Sequence, residues 1–185
     1  MTSPALALAV DPHALWRAAS AFAARKHRHQ LRRDGKTPYF SHLARVAQNI
    51  AAVFGSCDPA IIAAAYLHDT IEDTTTDYED IADDFGPLVA QCVAALTKNM
   101  ALPEPEREDE YHSRLRRGPW QARLIKLADV LDNISDLVDY PIAERADHSK
   151  KTFERARLAL ELVSAEDLER PEFKAATRAV RAALG

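Results

Sequence analysis

Hydrophobic residues recur along most of this chain at the spacing of amphipathic helices, and polar breaks separate one segment from the next. In the second segment, for example, Leu43, Val46, Ala47 and Ile50 would share one face of a helix. No stretch alternates apolar and polar residues for long enough to support a β-sheet. The pattern therefore predicts an all-α fold, with helices at 12–29, 39–54, 58–69, 77–85, 87–97, a polar segment ending near 118, 119–140, 144–163 and 171–184.

Prolines and glycines mark the ends of these segments. Asp11 before Pro12 and Asp58 before Pro59 match a helix N-cap followed by proline in the first turn. The five glycines lie in or beside polar breaks, or at the chain end. Residues 101–108, rich in proline and acid, predict a mobile loop.

The composition is that of a folded globular protein, since 47% of the 185 residues are hydrophobic and 28% are charged. We expect one domain over residues 1–185, with a core at about 12–140 and C-terminal helices at about 144–184. A formal net charge of −4 argues against a broad nucleic-acid surface. The apolar run at 5–10 is too short to span a bilayer, and the two cysteines lack disulfide or metal-site spacing. We therefore expect a cytoplasmic protein without a nucleic-acid or membrane partner.

Candidate chemistry begins with four ionisable side chains that follow an apolar run directly. His68 and Asp69 stand side by side, and Glu72 and Asp73 follow them. Burying such groups is costly unless something compensates their charge, and a divalent metal is the strongest partner available. The pattern predicts a metal-dependent hydrolase.

Two ligands would leave a metal incompletely coordinated, so others must come from elsewhere in the chain. His42 begins the apolar face of the second predicted helix, and Asp129 is surrounded by hydrophobic residues in the helix at 119–140. With His68 and Asp69 they form a mixed nitrogen and oxygen set, which suits a divalent transition metal with positions open to water.

Three segments also resemble motifs of the RelA/SpoT-type alarmone hydrolases, which are HD-domain proteins. Residues 30–42 resemble QxRKxGxPYxxH, residues 67–74 resemble LHDxxEDT, and residues 126–133 resemble KLADRLHN. They occur in the family's order and at similar intervals within about 18–136. The resemblance implies an HD-domain fold of about eight to ten helices around a metal site. It is closest to the small stand-alone hydrolases, because the family's synthetase and regulatory domains have no room here.

The resemblance also implies roles for the matching residues. The four candidate ligands would bind one manganese ion, and Glu72 and Asp73 would activate the attacking water or handle protons. Arg32 and Arg33 would flank the base and phosphates of a nucleotide, and Asn133 would contact it. Taken alone, these side chains have plainer explanations, namely a solvated helix end, a basic surface loop and a helix cap.

The chain departs from the family in the nucleotide pocket. The family's His-Asn-Met-Arg-Thr is here Asp-Asn-Ile-Ser-Asp at 132–136. Ser135 therefore stands in place of an arginine, and the acids Asp132 and Asp136 stand in place of a histidine and a threonine. Either acid would oppose a polyphosphate if it faced the pocket. Phe153 falls near a position where single-domain relatives carry a substrate-contacting tyrosine.

Other polar and aromatic side chains receive structural assignments. We expect Tyr39 to be a packing residue with a satisfied hydroxyl, and His27 to be structural or at the surface. His148 lacks suitable surroundings in the sequence, so we expect it at the surface.

The resemblance leads to one main hypothesis and two alternatives. The main one is a manganese-dependent pyrophosphohydrolase that removes the 3′-diphosphate from guanosine alarmones, (p)ppGpp. The same metal centre would serve an adenine nucleotide, either an adenosine alarmone or the 2′-phosphate of NADPH. A catalytically silent nucleotide sensor is the alternative of another class, and intact Glu72 and Asp73 argue against it.

Overall fold

Helices form nearly all the regular structure of the computed structural model, which describes residues 11–140 and 142–185. No strand occurs within those ranges, where Leu31 and Pro38 form one isolated bridge. The apolar run at 5–10 lies outside the described residues. The described α-helices are α1 (Pro12–Lys26), α2 (Phe40–Gln48), α3 (Pro59–Leu67), α4 (Thr70–Asp73), α5 (Tyr78–Phe85), α6 (Pro87–Leu96), α7 (Glu104–Arg117), α8 (Trp120–Ser135), α9 (Ile142–Glu161) and α10 (Pro171–Leu184).

The prediction of an all-α fold is confirmed, and the remaining differences lie in helix ends. The predicted second helix continues from α2 as a π-helical turn, Asn49–Val53, and the long helix continues from α8 as a 3₁₀ turn, Asp136–Asp139. The mobile loop predicted at 101–108 is wrong in part, because α7 begins at Glu104. Proline is tolerated in the first helical turn, so a proline-rich segment can start a helix.

Helix α3 lies in the middle of the packed helices. Its residues are apolar on every side, as expected for a helix with no face to solvent, and it packs against α1, α2, α6 and α8. Its alanines allow these neighbours to approach closely. Asp58 caps its start by accepting a hydrogen bond from the Ala60 backbone N–H at 2.8 Å. The end of α3 therefore delivers whatever follows it, here His68 and Asp69, into the protein interior.

Helix α8 is the second organising element, because it packs against α2, α3, α6, α9 and α10. Leu124, Leu127 and Ala128 on this helix are fully buried. None of the helices in 11–140 and 142–185 combines the length and hydropathy that a membrane span requires.

Candidate metal centre and adjoining cavity

The four predicted metal ligands converge where α2, α3 and α8 meet. His42 Nε2 lies 3.6 Å from Asp69 Oδ2 and 3.4 Å from Asp129 Oδ1. His68 Nε2 lies 3.2 Å from the same Asp69 oxygen and 3.9 Å from the same Asp129 oxygen. One donor atom of His42, one of His68 and one of Asp69 all lie within 4.8 Å of one another. This spacing is compatible with a single divalent cation.

Both imidazole rings are oriented by hydrogen bonds on the side away from the cluster. His68 Nδ1 lies 2.8 Å from the Ala65 carbonyl oxygen, and His42 Nδ1 lies 2.7 Å from Asp132 Oδ2. With Nδ1–H as donor, each Nε2 keeps a lone pair directed at the carboxylates. His68 Nε2 is buried and has no hydrogen-bond partner among the described residues. An unpartnered acceptor beside two carboxylates fits a metal site.

The electrostatics of the cluster favour positive charge. Burial alone would lower the pKa of His42, but the carboxylates of Asp129 and Asp132 outweigh it and raise the pKa to about 9. Burial alone would also lower the pKa of His68, but the Asp69 carboxylate outweighs burial and the pKa is raised. The pKa of Asp69 is lowered against the effect of burial, chiefly by His68. The cluster therefore attracts protons or metal cations.

Asp129 is also held by two neighbours on its own helix. Lys126 Nζ lies 2.8 Å from Asp129 Oδ2, and the Asn133 side-chain amide donates to Asp129 Oδ1 at 2.6 Å. The Lys126 ammonium also lies 5.5 Å from the centre of the Tyr111 ring. Asp129 raises the pKa of Lys126 against the effect of burial, so this lysine is a permanent cation beside the cluster. Lys126 belongs to the motif at 126–133, as Asp129 and Asn133 do, but the sequence analysis did not include it in the site.

A cavity of about 430 Å³ opens beside the cluster, within the size range of small-molecule sites. His42, His68, Asp69 and Asp129 line its floor. Many other lining side chains are cationic. They are Arg32, Arg33, Lys98, Lys126, Lys151 and Arg155.

The structure brings the three predicted substrate-binding residues to this cavity. Arg32 donates to Asp136 Oδ2 at 2.7 Å and to Asn133 Oδ1 at 3.0 Å. Arg33 is exposed, with its guanidinium 5.7 Å from the centre of the Tyr140 ring. Both arginines lie in a loop that the Asp34 carboxylate stabilises by accepting hydrogen bonds from backbone and side-chain groups at its far end.

The two predicted catalytic acids occupy different positions. Glu72 lines the cavity, and its Oε2 accepts a hydrogen bond from the Lys98 backbone N–H at 2.7 Å. Burial raises the pKa of Glu72, although the bond from Lys98 opposes the shift. Asp73 is exposed and is not among the lining residues. Of the two carboxylates, that of Glu72 lines the cavity and that of Asp73 does not.

Sequence reasoning missed the contribution of α9. The surface assignment of His148 is wrong, because this residue lines the cavity together with Lys151, Thr152 and Arg155. Their spacing is that of one helix face, which is a signal the sequence contains. Phe153 belongs to another face and does not line the cavity.

The acids that depart from the family pattern are both compensated. Asp132 is buried and does not line the cavity. Hydrogen bonds from His42 and Arg45 compensate its charge. Asp136 does line the cavity, but Arg32 and Arg45 each form an ion pair with it at 2.6 Å. The expected repulsion of a polyphosphate is therefore largely offset.

Tyr39 has a more specific environment than packing alone. Its hydroxyl is satisfied, as predicted, but by donating to Asp69 Oδ2 at 2.5 Å. Its ring stacks on that of His27, with the centres 5.2 Å apart. His27 is buried, and its Nδ1 lies 2.6 Å from the Gln30 side-chain oxygen. Tyr39 therefore restrains the Asp69 oxygen that also lies nearest to His68.

Comparisons with known proteins agree with this arrangement. The family model described as HD domain matches residues 19–159. A Danio rerio protein named guanosine-3′,5′-bis(diphosphate) 3′-pyrophosphohydrolase is 42% identical over 117 residues, which cover 63% of this chain and 65% of that protein. The Homo sapiens protein of the same name is 40% identical over 120 residues, which cover 64% of this chain and 67% of that protein.

Solved structures show the same likeness. A metazoan orthologue of SpoT, described as hydrolysing ppGpp and acting in starvation responses, superposes with a TM-score of 0.67 and 32% identity. The match covers 82% of this chain and 93% of that one. A Listeria monocytogenes protein matches with a TM-score of 0.59 and 26% identity, over 80% of this chain and 98% of that one.

Removing one ligand should abolish high-affinity metal binding. We expect His68→Ala and Asp69→Ala each to lose calorimetrically detectable Mn²⁺ binding, because the remaining donors no longer surround the ion. The helical circular dichroism should be retained, since the apolar core supplies most of the stability. Asp84→Ala, which removes an exposed acid of α5, is the matched control. Wild-type affinity in Asp69→Ala would contradict the assignment of the ligands.

Proposed function

This chain belongs to the HD domain family, and we propose that it is a metal-dependent pyrophosphohydrolase that removes the 3′-diphosphate from guanosine alarmones, (p)ppGpp. The products would be GDP or GTP and pyrophosphate. The observation that carries the proposal is the convergence of His42, His68, Asp69 and Asp129 in a cavity that six arginine and lysine side chains also line. Such a site suits a substrate that brings several phosphate groups to a metal ion.

We propose manganese as the ion, held by the two imidazoles and two carboxylates of the cluster. This mixed donor set suits a borderline divalent metal, and the open cavity leaves room for water. A bound divalent cation supplies Lewis acidity and lowers the pKa of water. Asp69 and Asp129 are restrained by Tyr39 and Lys126, so their oxygens stay in place without rearrangement.

Glu72 is the best-placed group for proton transfer. It lies at the cavity wall, one helical turn beyond Asp69, and its backbone partner at Lys98 fixes one carboxylate oxygen. Its raised pKa brings it closer to neutrality, where a carboxyl group exchanges protons more effectively. Asp73 does not line the cavity, so we assign it a supporting role.

The cationic side chains are suited to hold the nucleotide and its phosphates. Arg32 and Arg33 can use planar guanidinium groups both to stack on a base and to grip a phosphate in a fork. Lys151 and Arg155 of α9 also line the cavity and are exposed, and they add positive charge to it. These charges also raise the local concentration of an anionic substrate.

A substrate screen is the direct test of this function. Manganese-loaded protein should release pyrophosphate from ppGpp and pppGpp faster than it releases any phosphate product from adenosine alarmones or NADPH. Metal-free protein and Asp69→Ala should be inactive in the same assay. Preference for an adenine nucleotide would redirect the proposal within the hydrolases, and tight nucleotide binding without any release would make the protein a sensor.

Amide substitution should separate the two acids. Glu72→Gln can still accept the Lys98 hydrogen bond but cannot exchange a proton, so kcat should fall about 10²–10⁴-fold while Mn²⁺ affinity is kept. Asp73→Asn should change kcat much less, because its exposed side chain does not line the cavity. Equal losses in both variants would contradict this division of roles, and loss of metal from Glu72→Gln would make Glu72 a ligand.

The loop arginines should act on substrate binding. A charge-assisted hydrogen bond is worth ~1.5–3 kcal/mol, so Arg32→Ala and Arg33→Ala should each raise KM about tenfold to a hundredfold. Metal content should not change, because guanidinium groups do not bind cations. Arg178→Ala, on the exposed surface of α10, provides a control of equal charge change. An unchanged KM in both loop variants would remove the loop from the proposed site.

A further inference from the structure

Behind His42, on the side away from the cavity, lies a buried carboxylate with its own arginine. Asp132 Oδ2 lies 2.7 Å from His42 Nδ1, and both side chains are only 2% exposed. Arg45 Nε donates to Asp132 Oδ1 at 2.6 Å, and Arg45 Nη2 donates to Asp132 Oδ2 at 3.0 Å. The guanidinium therefore grips the carboxylate with two donors in a fork, while the carboxylate also accepts from the imidazole.

Helical spacing brings these three groups together. His42 and Arg45 are three residues apart on α2, so they share a face. Asp132 is three residues beyond Asp129 on α8, so the helix that supplies a metal ligand also supplies the carboxylate behind another ligand.

The network continues from Arg45 to the cavity. Arg45 Nη2 also donates to Asp136 Oδ1 at 2.6 Å, and Asp136 Oδ2 accepts from Arg32. Arg32 bonds to Asn133, whose amide donates to Asp129. The hydrogen bonds thus connect His42 to Asp129 through five other side chains, and Arg45 is restrained by two of them, Asp132 and Asp136.

Each member of the unit has a physical reason to be present. A carboxylate on Nδ1–H fixes the neutral ring with its Nε2 lone pair towards the cluster and stops the ring from rotating. A carboxylate this deeply buried is costly unless it is paired, and the arginine fork supplies that pairing. Arg45 therefore offsets the free-energy cost of burying the Asp132 carboxylate behind His42.

We propose that Asp132 and Arg45 are positioning residues that present His42 Nε2 to the metal ion, Asp132 directly and Arg45 through Asp132. The inference rests on the proposed metal centre but not on the identity of the nucleotide. Neither residue lines the cavity, and Asp132 is the one of the two that contacts His42 directly.

The test is the Mn²⁺ affinity of the full chain, measured by calorimetry with no nucleotide present. Asp132→Asn keeps the shape of the side chain but replaces one acceptor oxygen of the carboxylate with an amide NH2 group, so Mn²⁺ binding should weaken about tenfold to a hundredfold. Arg45→Lys should weaken it less, because a lysine keeps the charge but not the fork. The matched control is Asp84→Asn, which makes the same change at an exposed acid of α5.

A double variant distinguishes positioning from general structural support. If Arg45 acts through Asp132, then Asp132→Asn combined with Arg45→Ala should bind Mn²⁺ no more weakly than Asp132→Asn alone. Losses of Mn²⁺ affinity that simply add would overturn the proposed pathway. The metal-free variants should remain folded at the temperature of the calorimetry, as their melting temperatures will show. A loss of Mn²⁺ affinity that is explained by partial unfolding would also overturn the proposal.

Two outcomes separate this inference from the proposed function. If the wild type binds Mn²⁺ and Asp132→Asn binds it within about twofold of the wild type, the positioning role is refuted and the metal centre stands. If the wild type binds no Mn²⁺, the metal centre is refuted and this inference falls with it.

Discussion

The crowding of two carboxylates and two imidazoles at a buried helix junction is the constraint on which the rest of this structure depends. Such a group is stable only if positive charge compensates it, because desolvated anions cannot be left unpaired. The surrounding contacts follow from that requirement. Lys126 engages one oxygen of Asp129, the Tyr39 hydroxyl engages one of Asp69, and Arg45 engages the carboxylate behind His42. Each neighbour reduces the freedom of one side chain of the cluster or of the carboxylate behind it.

The cavity extends the same electrostatic arrangement outward. Its floor, the four-residue cluster, carries the carboxylates of Asp69 and Asp129, whereas most of the other charged side chains that line it, here called the rim, belong to arginine and lysine. A polyphosphate needs both features, because a divalent cation can neutralise the group being cleaved while the rim holds the remaining phosphates. Asp136 belongs to the rim but is tied to two arginines, so it orders the basic loop more than it repels a ligand.

The helical fold and the convergence of the four ligand residues could be predicted, because both follow from local spacing and from three motifs in a fixed order. The position of His68 in the cluster, for example, follows from an apolar helix that ends in the core. The contribution of α9 could not be predicted in the same way. The periodicity of His148, Lys151 and Arg155 defines a helix face, but which face meets the cavity depends on how α9 packs against α8. The pairing of Asp132 with Arg45 could not be predicted either. The effect of an acid on α8 can be interpreted only when its partner on α2 is known.

Because the donors lie on α2, at the end of α3 and on α8, a cation bound by them is also a cross-link between segments that are distant in the chain. The entropy lost in closing those loops has already been compensated by helix packing, so the unfolded chain offers no comparable site. Cation binding then stabilises the assembled fold alone, by an amount that grows with the logarithm of the free ion concentration. Resistance of this protein to unfolding and proteolysis thus becomes coupled to the supply of divalent metal around it.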